Sequence, residues 1–242
     1  MRMTEGIMGM SVAVEILDNA KSSDLNEVFD YFHKVDEIFS TYKKTSEISR
    51  INNKKLRKEN ASPEVKKVLL LCDETKKLTN GYFNIELEGV IDPSGLVKGY
   101  AINEASKMLF KKGYRNYYVE IAGDIDIRGL KNGMKWKVGV RNPVKKEEST
   151  RVLHLTDRGI ATSGLYARGL HIYNPVKRKS ALELMSVTVI GPNVYEADRF
   201  ATAVFAMGEK GIDFLEKQDD LEGFCVTRDG RELETSGLGK YL

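Results

Sequence analysis

The sequence is poor in cysteine, carries no long apolar run and shows no excess of one charge. Its two cysteines, Cys72 and Cys225, lie far apart and have no second Cys or His nearby. That spacing excludes a zinc-binding pattern and leaves two buried thiols as the expectation. No segment approaches a membrane span, and Met1 to Leu17 has neither an apolar run nor a cleavage-site pattern, so a cytoplasmic protein without a membrane span is expected. Its 38 basic and 35 acidic residues leave a net charge of +3. This is too mild for a nucleic-acid partner, although anionic ligands stay open. Internal repeats, linkers and low-complexity tracts are also missing.

With 242 residues, of which 41% are hydrophobic and 30% charged, the chain has ordinary globular composition and enough length for a proper core. Val12, Val14 and Ile16 alternate with small or polar residues as in a half-buried strand over Ser11 to Leu17. Val28, Phe32, Val35 and Phe39 form a helical stripe behind a start at Asp24 and Glu27. Thr45 to Asn52 is polar and is expected to be a loop with a short helix. Ser62-Pro63-Glu64 opens a further helix, with Ser as cap and Pro in the first turn, and Asn80-Gly81 ends it. Strand-like runs joined by turns follow from Tyr117 onward, including a hairpin at Asn132-Gly133 and strands at Trp136 to Val140 and Arg151 to Leu155. Val194 to Met207 is the last strong helix, stopped at Gly208. Irregular interleaving of hairpins and helices predicts an α+β class, with residues 1–242 as a single domain and a largely antiparallel sheet in two parts flanked by helices.

Val90 to Ala101 is expected to form a short strand, a tight turn and the start of a helix whose stripe is Val97, Tyr100, Ala101, Ala105, Met108 and Leu109. Pro93 and Gly95 break regular structure there, and amides at the helix start together with Lys98 favour a phosphate; a metal is the other candidate. Neither a P-loop nor the three-glycine dinucleotide pattern is present. Asp198 and Thr202, four apart, share one helix face, an oxygen pair suited to a hard cation such as Mg²⁺, although spacing alone favours a solvated Asp and a Thr bonded to its own helix. Asp124 in Ala122-Gly123-Asp124 suits a turn or a ligand contact. Tyr42, Tyr82 and Phe83 suit core packing or stacking on a planar ring. His171 lies between turn signals, whereas His33 and His154 fall in regular patterns.

Together, and in this order, Met8-Gly9, Tyr42, Ser46 to Asn52, Gly81-Tyr82-Phe83, Asp92 to Ala101, Ala122-Gly123-Asp124, Ala161 to Gly164, His171 to Pro175 and Ala197 to Ala203 resemble the FAD:protein FMN transferase (ApbE-like) family over nearly the whole chain. The resemblance implies Mg²⁺-dependent transfer of FMN from FAD, the substrate, to a Thr or Ser hydroxyl of an acceptor flavoprotein carrying an Asp-Gly-x-Thr/Ser type motif, with release of AMP. It implies Mg²⁺ on Asp198, Thr202 and the Gly95 carbonyl, and FAD contacts from Met8, Tyr42, Tyr82, Phe83, Asp92, Lys98, Asp124, Ser163 and Tyr173. Asp198 and His171 take the catalytic roles, His171 as base for the acceptor hydroxyl. Hydrolysis of FAD to FMN and AMP, and FAD binding without catalysis, are the alternatives. The chain departs from the commoner family pattern at Ala122, Ala167 and Asn174 and in a short segment between Gly81 and Asp92. Asp229-Gly230 continues as Arg231-Glu232, so the chain holds no acceptor motif of its own.

Overall fold

A computed structural model describes residues 1–144, 148–164 and 173–242. Its frame is an eight-stranded sheet in the order β1 (Arg2–Ile7), β2 (Met10–Ile16), β5 (Tyr117–Ile121), β6 (Asp124–Arg128), β9 (Arg158–Gly164), β12 (Leu184–Gly191), β13 (Glu222–Thr227) and β14 (Glu232–Glu234). Every adjacent pair is antiparallel. A second antiparallel part, the hairpin β7 (Trp136–Arg141) and β8 (Ser149–Leu155), lies apart from it. The short pairs β3 (Glu86–Leu87) with β4 (Val90–Ile91), and β10 (Tyr173–Asn174) with β11 (Lys179–Ser180), complete the strands. The α+β class and the antiparallel sheet flanked by helices agree with the sequence reading.

Strand alternation divides the core between the two faces of the large sheet. Val12, Val14, Ile16, Tyr117, Val119 and Ile121 meet α1 (Ser22–Phe39), α3 (Pro63–Leu78) and α4 (Ser94–Lys111). Farther along the same face, Ala161, Val187, Val189 and Cys225 meet α5 (Val194–Met207) and α6 (Lys210–Leu215). Their neighbours Ile160, Ile190 and Phe224 point the other way and pack with Trp136, Val140, Leu153 and Leu155 of the β7–β8 hairpin. The result is three layers, helices over sheet over hairpin, and the acidic residues Asp124 and Asp126 on the helix side of β6 are buried. Both thiols are buried, as expected from their apolar surroundings. No helix among the described residues is long and apolar enough to cross a membrane.

Two local devices position the loop before α4. Ser46 caps α2 (Glu47–Asn52) by accepting from Ser49 N at 3.0 Å, so the polar run 45–52 is mostly a helix. At its end, Asn52 donates to the Ile91 carbonyl at 2.9 Å and accepts from Ile91 N at 2.8 Å, doing for β4 what a neighbouring strand would do. Asp92 Oδ1 then accepts from Ser94 N at 3.0 Å, and Pro93 supplies the carbonyl for the first turn of α4. Ala122 and Gly123, at φ 50° and 92°, form the two-residue turn between β5 and β6 that delivers Asp124.

Candidate active site

The site is built where α4 crosses α5. Gly95 and Gly99 stand four apart on α4, and Asp198 and Thr202 stand four apart on α5. A Cβ on Gly99 would lie 2.6 Å from Asp198 Cβ, and one on Gly95 would lie 3.2 Å from Thr202 Cγ2, so the two helices touch through bare backbone on the α4 side. That closeness lets Gly99 N donate to Asp198 Oδ2 at 2.7 Å and Thr202 Oγ1 reach the Gly95 carbonyl at 3.4 Å. From β9, Ser163 Oγ comes within 3.5 Å of Thr202 Oγ1. Four oxygen-bearing groups thus converge, and only one of them is ionisable.

Lys98 and Asp124 complete the group from a second side. Lys98 Nζ is 2.5 Å from Asp124 Oδ2 and 4.0 Å from Asp198 Oδ1. Asp124 Oδ1 accepts from Thr162 N at 3.0 Å. The lysine read from sequence as charge for an incoming anion therefore faces two buried carboxylates of the protein itself. Burial pushes the Asp198 carboxyl up to about 7; Lys98 opposes the rise and Asp124 adds to it. Added positive charge beside Asp198 would favour its ionised form further.

Asp126 holds the crossing from below and was not legible as a functional position. It is fully buried, accepts from Val194 N at 3.1 Å at the start of α5, and accepts from Ser106 Oγ of α4 at 2.5 Å and from Arg128 Nε at 3.0 Å. Burial raises its carboxyl above the ordinary range. Asn193 caps α5 by accepting from Glu196 N, and Arg199 ties the same helix to α3 through Thr75 Oγ1 at 3.1 Å. The far end is fixed by Asn174, which donates to the Ala206 carbonyl at 2.6 Å and accepts from Lys177 N at 2.8 Å. An ionised acid at position 174 has no proton for the Ala206 carbonyl, which gives this departure from the commoner pattern a structural role.

Of the residues expected at a site, the contacts above join Gly95, Lys98, Asp124, Ser163, Asp198 and Thr202. Phe83 is buried beside Gly95, its ring 3.5 Å from where a Gly95 Cβ would stand. The remaining positions are outside that set of contacts: Met8 on the β1–β2 turn, Tyr42 at 95% exposure between α1 and α2, Tyr82 packed where two core clusters meet, Asp92 exposed at the start of α4, and Tyr173 on β10. His171 and Ala167 lie outside the described residues. Among the described residues no three His, Cys, Asp or Glu side chains converge on one point. Any cation here would rest on one carboxylate, hydroxyls and a carbonyl.

The FAD:protein FMN transferase of Escherichia coli K12 is 28% identical over 156 residues, covering 60% of this chain and 44% of that protein. The Vibrio cholerae protein of the same name is 28% identical over 207 residues, covering 74% and 62%. The chain thus spans less than two thirds of the length of either relative. Among solved structures, the flavin transferase ApbE from Vibrio cholerae superposes with a TM-score of 0.86 at 23% identity, covering all of this chain and 99% of that one. The ApbE protein of Thermotoga maritima gives 0.87 at 20% identity, covering all of this chain and 98% of that one. These superpositions show a shared fold. The sequence pattern of the ApbE family matches residues 8–92 and 88–225, which takes in every strand and helix of the α4–α5 crossing, and the chain belongs to the ApbE family.

Proposed function

We propose that this protein, acting as one flavin-transferase domain, moves FMN from FAD to a Thr or Ser hydroxyl of an acceptor flavoprotein bearing an Asp-Gly-x-Thr/Ser type motif. The observation that carries the reading is the convergence of Gly95, Thr202, Ser163 and Asp198 oxygens at a helix crossing, beside Lys98, in a chain of this family. In the reaction, the hydroxyl oxygen forms a bond to the FMN phosphorus, the pyrophosphate P–O bond breaks, AMP leaves with the bridging oxygen, and the hydroxyl proton passes to a base. His171, outside the described residues, is assigned that base by sequence resemblance alone.

The residues present fit Mg²⁺. Their donors are all oxygen, as a hard cation requires, and among the described residues the buried Asp198 and Asp124 carboxylates share one ammonium, that of Lys98. Asp198, Thr202 and the Gly95 carbonyl would hold the ion, which would neutralise pyrophosphate charge. Lys98 gives the site positive charge that Asp124 orients, and the Gly99 amide fixes the Asp198 carboxylate so that one oxygen faces outward from its hydrogen bond. Phosphoryl transfer is driven chiefly by such positioning and electrostatics.

The test is incubation of the protein with FAD, Mg²⁺ and an acceptor domain carrying the motif. A gain of one FMN on the acceptor, with AMP in equal amount, is expected. AMP and free FMN with an unmodified acceptor identify hydrolysis instead, and FAD binding with no AMP identifies a binding protein; either outcome overturns the proposal.

A further inference from the structure

On the opposite side of the sheet from α4 and α5 lies a groove of about 540 Å³, within the size range of ligand and peptide sites. Four consecutive residues line one wall: Trp136, Lys137, Val138 and Gly139 of β7. Successive side chains of a strand point to opposite faces, so a wall made of four in a row is the edge of the strand, where its backbone N–H and C=O groups are presented. β7 pairs with β8 on one side and, among the described residues, with no strand on the other. The floor is different. Tyr118 with Glu120, and Ile125 with Ile127, alternate along β5 and β6, which makes the floor the outward face of the large sheet.

Charge selects the occupant. Arg2, Lys131 and Lys135 join Lys137 around the groove, against Glu15 and Glu120. Lys131 already pairs with Glu15 at 3.6 Å, and burial raises the Glu120 carboxyl, a rise that Arg2 opposes. Lys135 and Lys137 form no ion pair among the described residues, and two apart on an extended run they point the same way. We propose that an extended acidic segment of a partner protein adds to the free edge of β7 as a further strand. Its alternate apolar side chains would rest on the half-buried Ile125 and Tyr118, and its acidic side chains would meet Lys135 and Lys137 on the solvent side. This goes beyond the transferase reading and does not depend on it.

Trp136, the only tryptophan in the chain, stands in the wall and reports occupancy directly. The probe is an acetylated Val-Glu-Val-Glu-Val-Glu-Val peptide titrated into the full protein while Trp136 fluorescence is followed. A saturable change is expected, lost with a Val-Lys repeat and with the acidic peptide N-methylated at alternate residues, which removes edge hydrogen bonds but keeps charge. Lys135→Glu with Lys137→Glu should weaken binding by roughly tenfold or more and leave FAD binding as in the parent protein. Amide chemical-shift changes should centre on β7. No saturable response up to about 1 mM, a level of weak binding on the affinity scale, overturns the proposal. So does equal binding of the lysine repeat or of the N-methylated peptide.

Discussion

Replacing Gly99 by alanine adds a single methyl group to the place where the site is tightest. The new Cβ would stand 2.6 Å from Asp198 Cβ, 2.9 Å from the Val194 carbonyl oxygen and 3.0 Å from Asp198 Oδ2. The first two atoms belong to the stem and backbone of α5 and cannot rotate aside, so the helices must separate. Overpacking of this kind costs about 1–3 kcal/mol. Separation also stretches the 2.7 Å bond from Gly99 N to Asp198, and hydrogen bonds to charged groups contribute about 1.5–3 kcal/mol. Alanine returns about 0.5–1 kcal/mol of helix propensity. The net expectation is a loss of roughly 2–5 kcal/mol, or a fall of about 5–15 °C in melting temperature for a chain this long. Gly95→Ala is the internal control. Its Cβ would meet Thr202 Cγ2 at 3.2 Å and Oγ1 at 3.4 Å, side-chain atoms at longer separations than those facing Gly99, so its cost should be the smaller of the two, about 1 kcal/mol. Urea unfolding of both variants, followed by Trp136 fluorescence and extrapolated to water, measures the difference. A Gly99→Ala protein as stable as its parent, or one more stable than Gly95→Ala, would refute the reasoning.

Three further outcomes follow from the same contacts. Because burial raises the Asp198 carboxyl from 3.8 to about 7, its stabilising protonated form is fully present below the unfolded value and is lost as pH rises through that window. The Mg²⁺-induced rise in melting temperature should therefore be small near pH 5 and larger near pH 7.5, and a rise independent of pH would count against Asp198 as the anion that meets the cation. Asn52→Ala removes both hydrogen bonds to Ile91 and should cost roughly 2–3 kcal/mol by denaturant unfolding, with weaker FAD binding by titration because the loop before α4 loses its clamp. Ala122 holds φ 50°, a conformation costly for any residue with a Cβ, so Ala122→Gly should be stabilising by about 0.5–1 kcal/mol in the same assay.

Patterns of three and four residues showed α1, α3, α4 and α5 in the sequence because each buries one continuous stripe. β1 was not visible. As an edge strand it pairs only with β2 and leaves most of its residues exposed or half-exposed, so Arg2 to Ile7 carries little apolar alternation. Asp126 is hidden in the sequence for a different reason. Asp124 reads as a turn or a ligand contact, but Asp126 alternates with Ile125 and Ile127 and carries no local signal of burial, yet helices cover its face of β6 and both acids point to them. Local sequence cannot show a covering layer contributed by other elements. The four-residue spacing of Asp198 and Thr202 did point to a shared face, and the spacing of Gly95 and Gly99 is its counterpart on α4. Lys98 was recognisable as a charge, but its partner Asp124 lies on another element, and no spacing rule connects them.

The central claim is that one helix crossing binds a cation and the FAD pyrophosphate together. Calorimetric titration of FAD into the parent protein and into Asp198→Asn, each with and without Mg²⁺, tests it most directly. The parent should bind FAD at least about tenfold more tightly with Mg²⁺, a gain of about 1.4 kcal/mol, and Asp198→Asn should bind with an affinity that Mg²⁺ leaves unchanged. An equal Mg²⁺ enhancement in Asp198→Asn, with its fold intact, would place the cation elsewhere and contradict the account.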